Sequence, residues 1–270
     1  MNSEKESSTK SESTMFLFNE IIFGPVHSRR LGLSLGVNLL PVDAKICSFD
    51  CIYCECGFNT TMKETPLPSR TQVYKTLELK LQQMHSEGTP PDVITFAGNG
   101  EPTLHPEFEG IIDDTLKLRD QYCPESKVSV LSNSTRVHKP NVFRALLKVE
   151  NNILKFDSAI DETVQRLDRP TGKTFNVRWV INQLKKFEGK LIIQTMFLRG
   201  MVGGKMLDNT TEAEISAWIE ALLEIKPEQV MIYSIDRETP TSGLEKIPHE
   251  ELEKIAVRAR AAGFVVSVAG

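Results

Sequence analysis

The sequence predicts an α/β fold, a partial (β/α)6 TIM-like barrel of parallel strands preceded by a disordered N-terminal leader. Three observations predict it. Short, β-branched apolar runs alternate with amphipathic helical segments along most of the chain, the pattern of a parallel sheet with right-handed crossovers. About six such βα units follow one another. Most of the strand-like runs end in polar or glycine-rich residues, and an α/β sheet gathers its function at the carboxyl ends of its strands.

The elements follow in order. Residues 1–14, MNSEKESSTKSEST, lack any apolar stretch and read as a polar leader, leaving 15–270 as one domain. Gly24-Pro25 and Gly32 punctuate the next segment, and Ser34–Leu40 reads as a short strand. The cysteine-rich stretch CSFDCIYCECG (47–57) follows as a loop. TPLPSR (65–70) breaks the chain before a helix, which carries Val73, Leu77, Leu81 and Met84 at helical spacing. DVITFAG (92–98) is a buried strand that stops at glycine. A helix spans Pro106 to Tyr122, and KVSVLSN (127–133) is the next strand. A short helix over 140–148 leads to the strand ILKFDSAI (153–160), then to helices over 161–168 and 174–187. LIIQTMFL (191–198) is strand-like, and MVGGKMLDNTT (201–211) reads as a flexible loop. Ile215, Trp218, Ile219 and Leu222 mark a helix, QVMIYSI (229–235) a strand, IPHEELEKIAVRARAAG a helix and FVVSV a last strand.

Composition narrows the function classes. The 270 residues are 40% hydrophobic and 25% charged, ordinary for a globular chain. Net charge is −4, so a broad electrostatic grip on nucleic acid is not advertised, although a local basic patch stays open. No apolar run approaches the roughly 20 residues that span a bilayer. The N-terminus also lacks the apolar middle of a secretory signal, so a cytoplasmic protein without membrane contact is expected. Four of the five cysteines crowd into one loop, Cys47, Cys51, Cys54 and Cys56. A disulfide framework would spread them; clustered thiols in a reducing compartment more often hold metal.

Cys47, Cys51 and Cys54 are spaced C-x3-C-x2-C. Three thiolates on one loop can hold three irons of a [4Fe–4S] cluster and leave the fourth iron open. A zinc site using Cys56 as well is the competing reading, but structural zinc sites usually use two well-separated pairs. The C-x3-C-x2-C spacing, with the aromatic Tyr53 before the last cysteine, closely resembles the radical S-adenosylmethionine (SAM) superfamily. That resemblance implies specific chemistry. The open iron chelates the methionine end of SAM, an electron from the reduced cluster breaks the S–C5′ bond, and the 5′-deoxyadenosyl radical takes hydrogen from a substrate.

The stretch VITFAGNGEP (93–102) resembles the family's glycine-rich loop at the end of the second strand. By that resemblance, Gly98, Asn99, Gly100 and Glu101 approach the SAM methionine, with Asn99 splitting the usual glycine pair. Ser132 and Asn133 end the third strand, where family members place SAM-contacting polar groups. Lys155 and Asp157 share a face of the fourth strand by period-two alternation, and the resemblance implies that this face reaches the ribose or carboxylate of SAM. A plain strand-end salt bridge is their alternative. Gln194 and Met196 share a face of the fifth strand and line the adenine pocket, with a buried polar core role as the alternative for Gln194. Tyr53 offers backbone to the adenine edge.

Around these residues, Cys56 is expected to pack near the cluster loop, and Cys123, alone at a helix end, to be inert. His105 is expected to be a solvated loop histidine rather than a cavity group. Arg29 and Arg30, with His27 and Ser28, form a basic turn or a phosphate contact, and Arg166, Arg169 and Lys173 form a similar set. Over residues 23–235 the chain resembles short prokaryotic radical SAM proteins related to the archaeal wyosine-synthesis enzymes, which implies an RNA or nucleotide substrate. No cysteine precedes Cys47, so the second cluster of those enzymes has no ligands here. A glycyl-radical activase-like enzyme acting on a partner protein or peptide is the alternative, and a non-catalytic metal- or redox-sensing module is a third reading. The enzyme readings imply an electron donor of flavodoxin or ferredoxin type.

Overall fold

A computed structural model describes residues 16–28, 31–60, 66–172 and 175–269. The expected leader, the Arg29-Arg30 turn and Lys173 fall outside these residues.

The chain opens with strands β1 (Ile22–Ser28) and β2 (Gly32–Val37), an antiparallel pair. Helix α1 (Arg70–Ser86) starts at a capping box: Ser69 Oγ accepts from Gln72 N, and the Gln72 side chain accepts from Ser69 N. Its buried face is Val73, Leu77, Leu81 and Met84. Then come β3 (Val93–Phe96), α2 (Phe108–Tyr122), β4 (Lys127–Ser132), α3 (Pro140–Leu146) and β5 (Asn151–Lys155). Helices α4 (Asp161–Leu167) and α5 (Val177–Leu184) lead to the long β6 (Ile192–Val202), and β7 (Lys205–Asp208) folds back on it. Helix α6 (Glu212–Ile225), β8 (Gln229–Ser234), β9 (Leu244–Lys246), α7 (His249–Ala261) and β10 (Val266–Ala269) complete the chain.

The sheet runs β1-β2-β3-β4-β5-β6-β8-β10, parallel from β2 onward, and curls into a half-barrel. Alternate residues of each strand face opposite sides. Ile94, Phe96, Val128, Val130, Leu154, Ile193, Val230 and Ile232 face the helices and join the main core. Each such side chain contributes about 1.5–3 kcal/mol when fully buried. Helix α6 is fastened to the sheet by Trp218, 1% exposed, whose Nε1 donates to Thr195 Oγ1 at 3.0 Å. The opposite set faces the lumen, where Ile153, Ile192 and Met231 pack together with Leu31 and Leu131. No helix among the described residues is long and apolar enough to cross a membrane.

Several expected boundaries move. The strand read over 34–40 is Gly32–Val37, and it acquires an antiparallel partner, β1, from the segment read only as punctuated. The strand read over 153–160 is Asn151–Lys155; beyond it the Asp157 side chain accepts from Met196 N on β6 and the Ser158 hydroxyl accepts from Ile160 N. The largest correction is the expected flexible loop over 201–211. Strand β6 continues through it to Val202 and turns at Gly203-Gly204, both at positive φ, into β7. The extension also pairs with β9, a strand that no local pattern marks. Asn209 closes this region. It is 1% exposed, accepts from Leu198 N at 2.9 Å, and donates to Met196 O at 2.7 Å and Asp157 O at 3.0 Å.

Asn209→Ala strands a buried amide and two buried carbonyls, so it should destabilise the fold by about 2–3 kcal/mol. A urea melt that leaves the midpoint of the wild-type chain unmoved would contradict this brace.

Candidate active site

The site forms where the loops after β2, β3, β4 and β5 meet above the sheet. The cysteine loop has no helix or strand of its own, so other groups must fix it. Ile46 makes a parallel bridge to Gly100: its N–H donates to Asn99 O at 2.9 Å, and its carbonyl accepts from Glu101 N at 3.1 Å. Asn59 holds the loop from the other end. Its Oδ1 accepts from Cys47 N at 3.0 Å, and its Nδ2 donates to Cys47 O at 3.1 Å and Phe49 O at 2.9 Å. Lys45, 2% exposed, donates to Gly57 O at 2.7 Å and lies 3.8 Å from Asp50. The loop after α4 docks on the outside through Asp50 N to Asp168 O at 2.9 Å, Ile52 N to Leu167 O at 3.0 Å and Thr171 N to Ser48 O at 3.0 Å.

The GNGEP stretch performs this docking with its own polar atoms. Asn99 is fully buried; its Oδ1 accepts from Phe18 N, and its Nδ2 donates to Phe18 O and Pro41 O, all at 2.8 Å. Gly98 and Gly100 sit at φ +151° and +132°. A Cβ on Gly100 would lie 1.9 Å from Ile46 O, and one on Gly98 would lie 2.4 Å from Asn38 Oδ1. The glycines are therefore already required by the protein's own close approach. Glu101 is 2% exposed and accepts four hydrogen bonds: from Thr103 N (3.1 Å), Thr103 Oγ1 (2.6 Å), Ser132 Oγ (2.9 Å) and Asn133 N (2.6 Å). Burial still pushes its carboxyl above the usual range, against those donors. Two of these bonds, from Ser132 and Asn133, join the GNGEP loop to the end of β4.

All five cysteines are free. Burial raises the Cys47 thiol to about 11 and the Cys51 thiol well above its ordinary value. Cys54 is lowered to about 6, first by a hydrogen bond from the Cys56 thiol and also by Lys45. Cys56 is buried, its thiol raised by that same bond to Cys54, and its Sγ lies 3.5 Å from Gly98 O. Donors reach the other sulfurs: Asn133 Nδ2 to Cys47 at 3.4 Å, Phe49 N to Cys47 at 3.5 Å and Lys155 Nζ to Cys51 at 3.4 Å. Among the described residues no three Cys, His, Asp or Glu side chains converge on a single-ion site. Three free thiols on one loop, with N–H donors near the sulfurs of Cys47 and Cys51, are a donor set that an iron–sulfur cluster accepts.

Lys155 and Asp157 do pair, at 2.7 Å, and Lys155 also pairs with Asp168 at 2.5 Å. The Tyr53 hydroxyl closes the group by bonding to both Lys155 and Asp157. Burial alone would lower the Lys155 ammonium; the flanking Asp157 and Asp168 hold it well above its usual range. Burial raises Asp168 to about 7, with Lys155 pulling the other way. Met196 packs with Phe49, Cys51 and Tyr53, and its N–H donates to Asp157 Oδ1 at 3.0 Å. Gln194 is separate. It lines a lumen cavity of about 260 Å³ with Phe23, Ser34, Thr95, Leu131, Ile153 and Met231.

Sequence reasoning missed Lys45, Asn59 and Asp168. Lys45 lies two residues before Cys47 and Asn59 three after Cys56, with no pattern to mark them, and Asp168 lies between Arg166 and Arg169 without being singled out. His105 departs from its expected solvated state. It is 3% exposed, its Nε2 bonds to Pro68 O at 2.8 Å, and its Nδ1 accepts from Glu107 N at 3.1 Å. Arg166 is spent on the carbonyls of Lys205 and Met206, and Arg169 faces Asp50 at 3.5 Å.

A family model described as the radical SAM superfamily matches residues 42–213. The chain is 32% identical over 244 residues to a UPF0026 protein of Helicobacter pylori, covering 88% of this chain and 73% of that one. Its fold resembles a radical SAM methyltransferase from Sphaerobacter thermophilus with TM-score 0.65 at 14% identity, covering 87% of this chain and 65% of that one, just under two thirds. It also resembles TYW1 with a lysine-pyruvate adduct bound, with TM-score 0.59 at 17% identity, covering 84% and 73%. At these identities the structural likeness is one of fold.

Glu101→Gln keeps the shape but places an amide donor against a set of donors, so it should cost about 2–3 kcal/mol of folding stability. If denaturation of the metal-free chain shows no loss, Glu101 does not clamp the loops.

Proposed function

Because this chain belongs to the radical SAM superfamily and is an enzyme of that class, we propose that Cys47, Cys51 and Cys54 are the protein ligands of its [4Fe–4S] cluster. When bound, the cluster and SAM supply the reductive cleavage that yields a 5′-deoxyadenosyl radical, as the class implies. The observation that carries the assignment is that three free thiols share one loop docked on the carboxyl ends of the strands, with Asn133 donating to the Cys47 sulfur and Lys155 to the Cys51 sulfur.

This chain's own residues then divide the work. The GNGEP loop holds the cysteine loop in register through the Ile46–Gly100 bridge. Phe49, Tyr53, Met196 and Leu198 give the sulfurs an apolar surround that keeps water out. Lys155 and Asp157 stand at the end of β5, and in this reading they orient the sugar side of the cofactor. Gln194 lies one step deeper in the lumen. Its side chain, in a residue 8% exposed, bonds to no described residue and offers a donor and an acceptor together.

We read the substrate as nucleotide-like. The lumen has room for one compact group, its floor is the apolar Leu131, Ile153 and Met231, and the Gln194 amide matches the donor–acceptor edge of a base. The electron comes from a flavodoxin- or ferredoxin-type donor. A peptide or partner protein presenting a side chain to the same lumen is the outcome that would replace the nucleotide reading.

Anaerobic reconstitution should load about four irons per chain, and reductant with SAM should release 5′-deoxyadenosine. Cys51→Ala should abolish that release and lower iron content. Zinc uptake without sulfide, with SAM left intact, would refute the ligand assignment. Salt-dependent RNA binding supports the nucleotide reading, and its absence, with a protein captured instead, removes it.

A further inference from the structure

We propose that Lys155 raises the reduction potential of the cluster from outside its coordination shell, with Asp168 as the opposing charge on the same sulfur. The proposal rests on the reading of Cys47, Cys51 and Cys54 as cluster ligands. Lys155 Nζ lies 3.4 Å from Cys51 Sγ, and Asp168 Oδ1 lies 3.6 Å from it. The two side chains are 14% and 2% exposed and 2.5 Å apart, so little solvent screens either from the sulfur. Asp157 and the Tyr53 hydroxyl fix the ammonium from its other side. A neutral donor, Asn133 Nδ2, reaches the Cys47 sulfur at the same 3.4 Å and supplies a comparison within the site.

The sign follows from charge. Reduction adds one electron, which spreads over the cluster and its sulfur ligands. An ammonium or N–H donor on a ligand sulfur stabilises the reduced form more than the oxidised form and raises the potential. A carboxylate facing that sulfur acts in the opposite sense. A bridge serving only to join β5 to the end of α4 would affect stability and leave the potential where it was. The midpoint potential therefore separates a tuning role from a structural one.

The test is a potentiometric titration, followed by electron paramagnetic resonance, of the full chain reconstituted anaerobically with iron and sulfide, each variant counted for iron first. Lys155→Met should lower the midpoint by at least the equivalent of a tenfold fall in reduced fraction at fixed potential, 59 mV for one electron. Asp168→Asn should raise the midpoint, and Asn133→Ala should lower it by less than Lys155→Met. Removing Lys155 leaves two buried carboxylates uncompensated. If Lys155→Met fails to load iron, Asp168→Asn decides: a rise supports the proposal and an unmoved midpoint overturns it. A loaded Lys155→Met cluster with the wild-type midpoint overturns this proposal alone. A wild-type chain that takes up no cluster overturns it together with the reading beneath it.

Discussion

Ile46 donates to Asn99 O at 2.9 Å and accepts from Glu101 N at 3.1 Å, and the cysteine loop takes its position from this exchange. A ten-residue loop carrying four free thiols has no periodic backbone bonding to hold it. The half-barrel solves this by extending its ladder logic beyond the strands. Gly100 lets the two backbones meet where any Cβ would collide with Ile46 O, and Glu101, bonded to Thr103, Ser132 and Asn133, prevents the glycine loop from yielding. Asn59 and Lys45 complete the frame from the far side of the cysteines.

The second constraint is buried charge. Lys45, Glu101, Lys155, Asp157 and Asp168 are all largely removed from water near the same loop. An unpaired buried charge is costly, so each must find partners. Lys155 does so with two carboxylates and a phenol, Glu101 with four donors, Lys45 with a carbonyl and Asp50. The result is a rigid polar layer between the apolar core under the helices and the apolar surround of the thiols.

Much of this was legible in the sequence. The βα alternation, the buried face of α1 and the polar strand ends are local patterns of period 3.6 or 2, and they survive into the fold. The C-x3-C-x2-C spacing and the GNGEP stretch were readable because each lies within a few residues of chain. The salt bridge of Lys155 with Asp157 was one of the two alternatives the sequence left open, although the strand that suggested it stops at Lys155 and Asp157 meets the lysine from the loop beyond. What escaped was of longer range. The β6–β7 hairpin and β9 depend on pairing partners more than forty residues apart in the case of β9, and MVGGKMLDNTT contains the glycines that a loop and a hairpin turn share.

The order of residues alone sets which groups the chain carries: thiols at a spacing that one loop can present together, and glycines where backbone must pass backbone. What those groups meet comes from the fold. It gave the glycines a clash with Asn38 and Ile46 to avoid, spent Glu101 on loop closure, buried His105, and brought Asp168, from 117 residues away, against Cys51. The physical reason is that hydrogen bonds and charge pairs are set by distance in space, and the curl of the sheet brings the ends of four strands together that the chain itself keeps far apart.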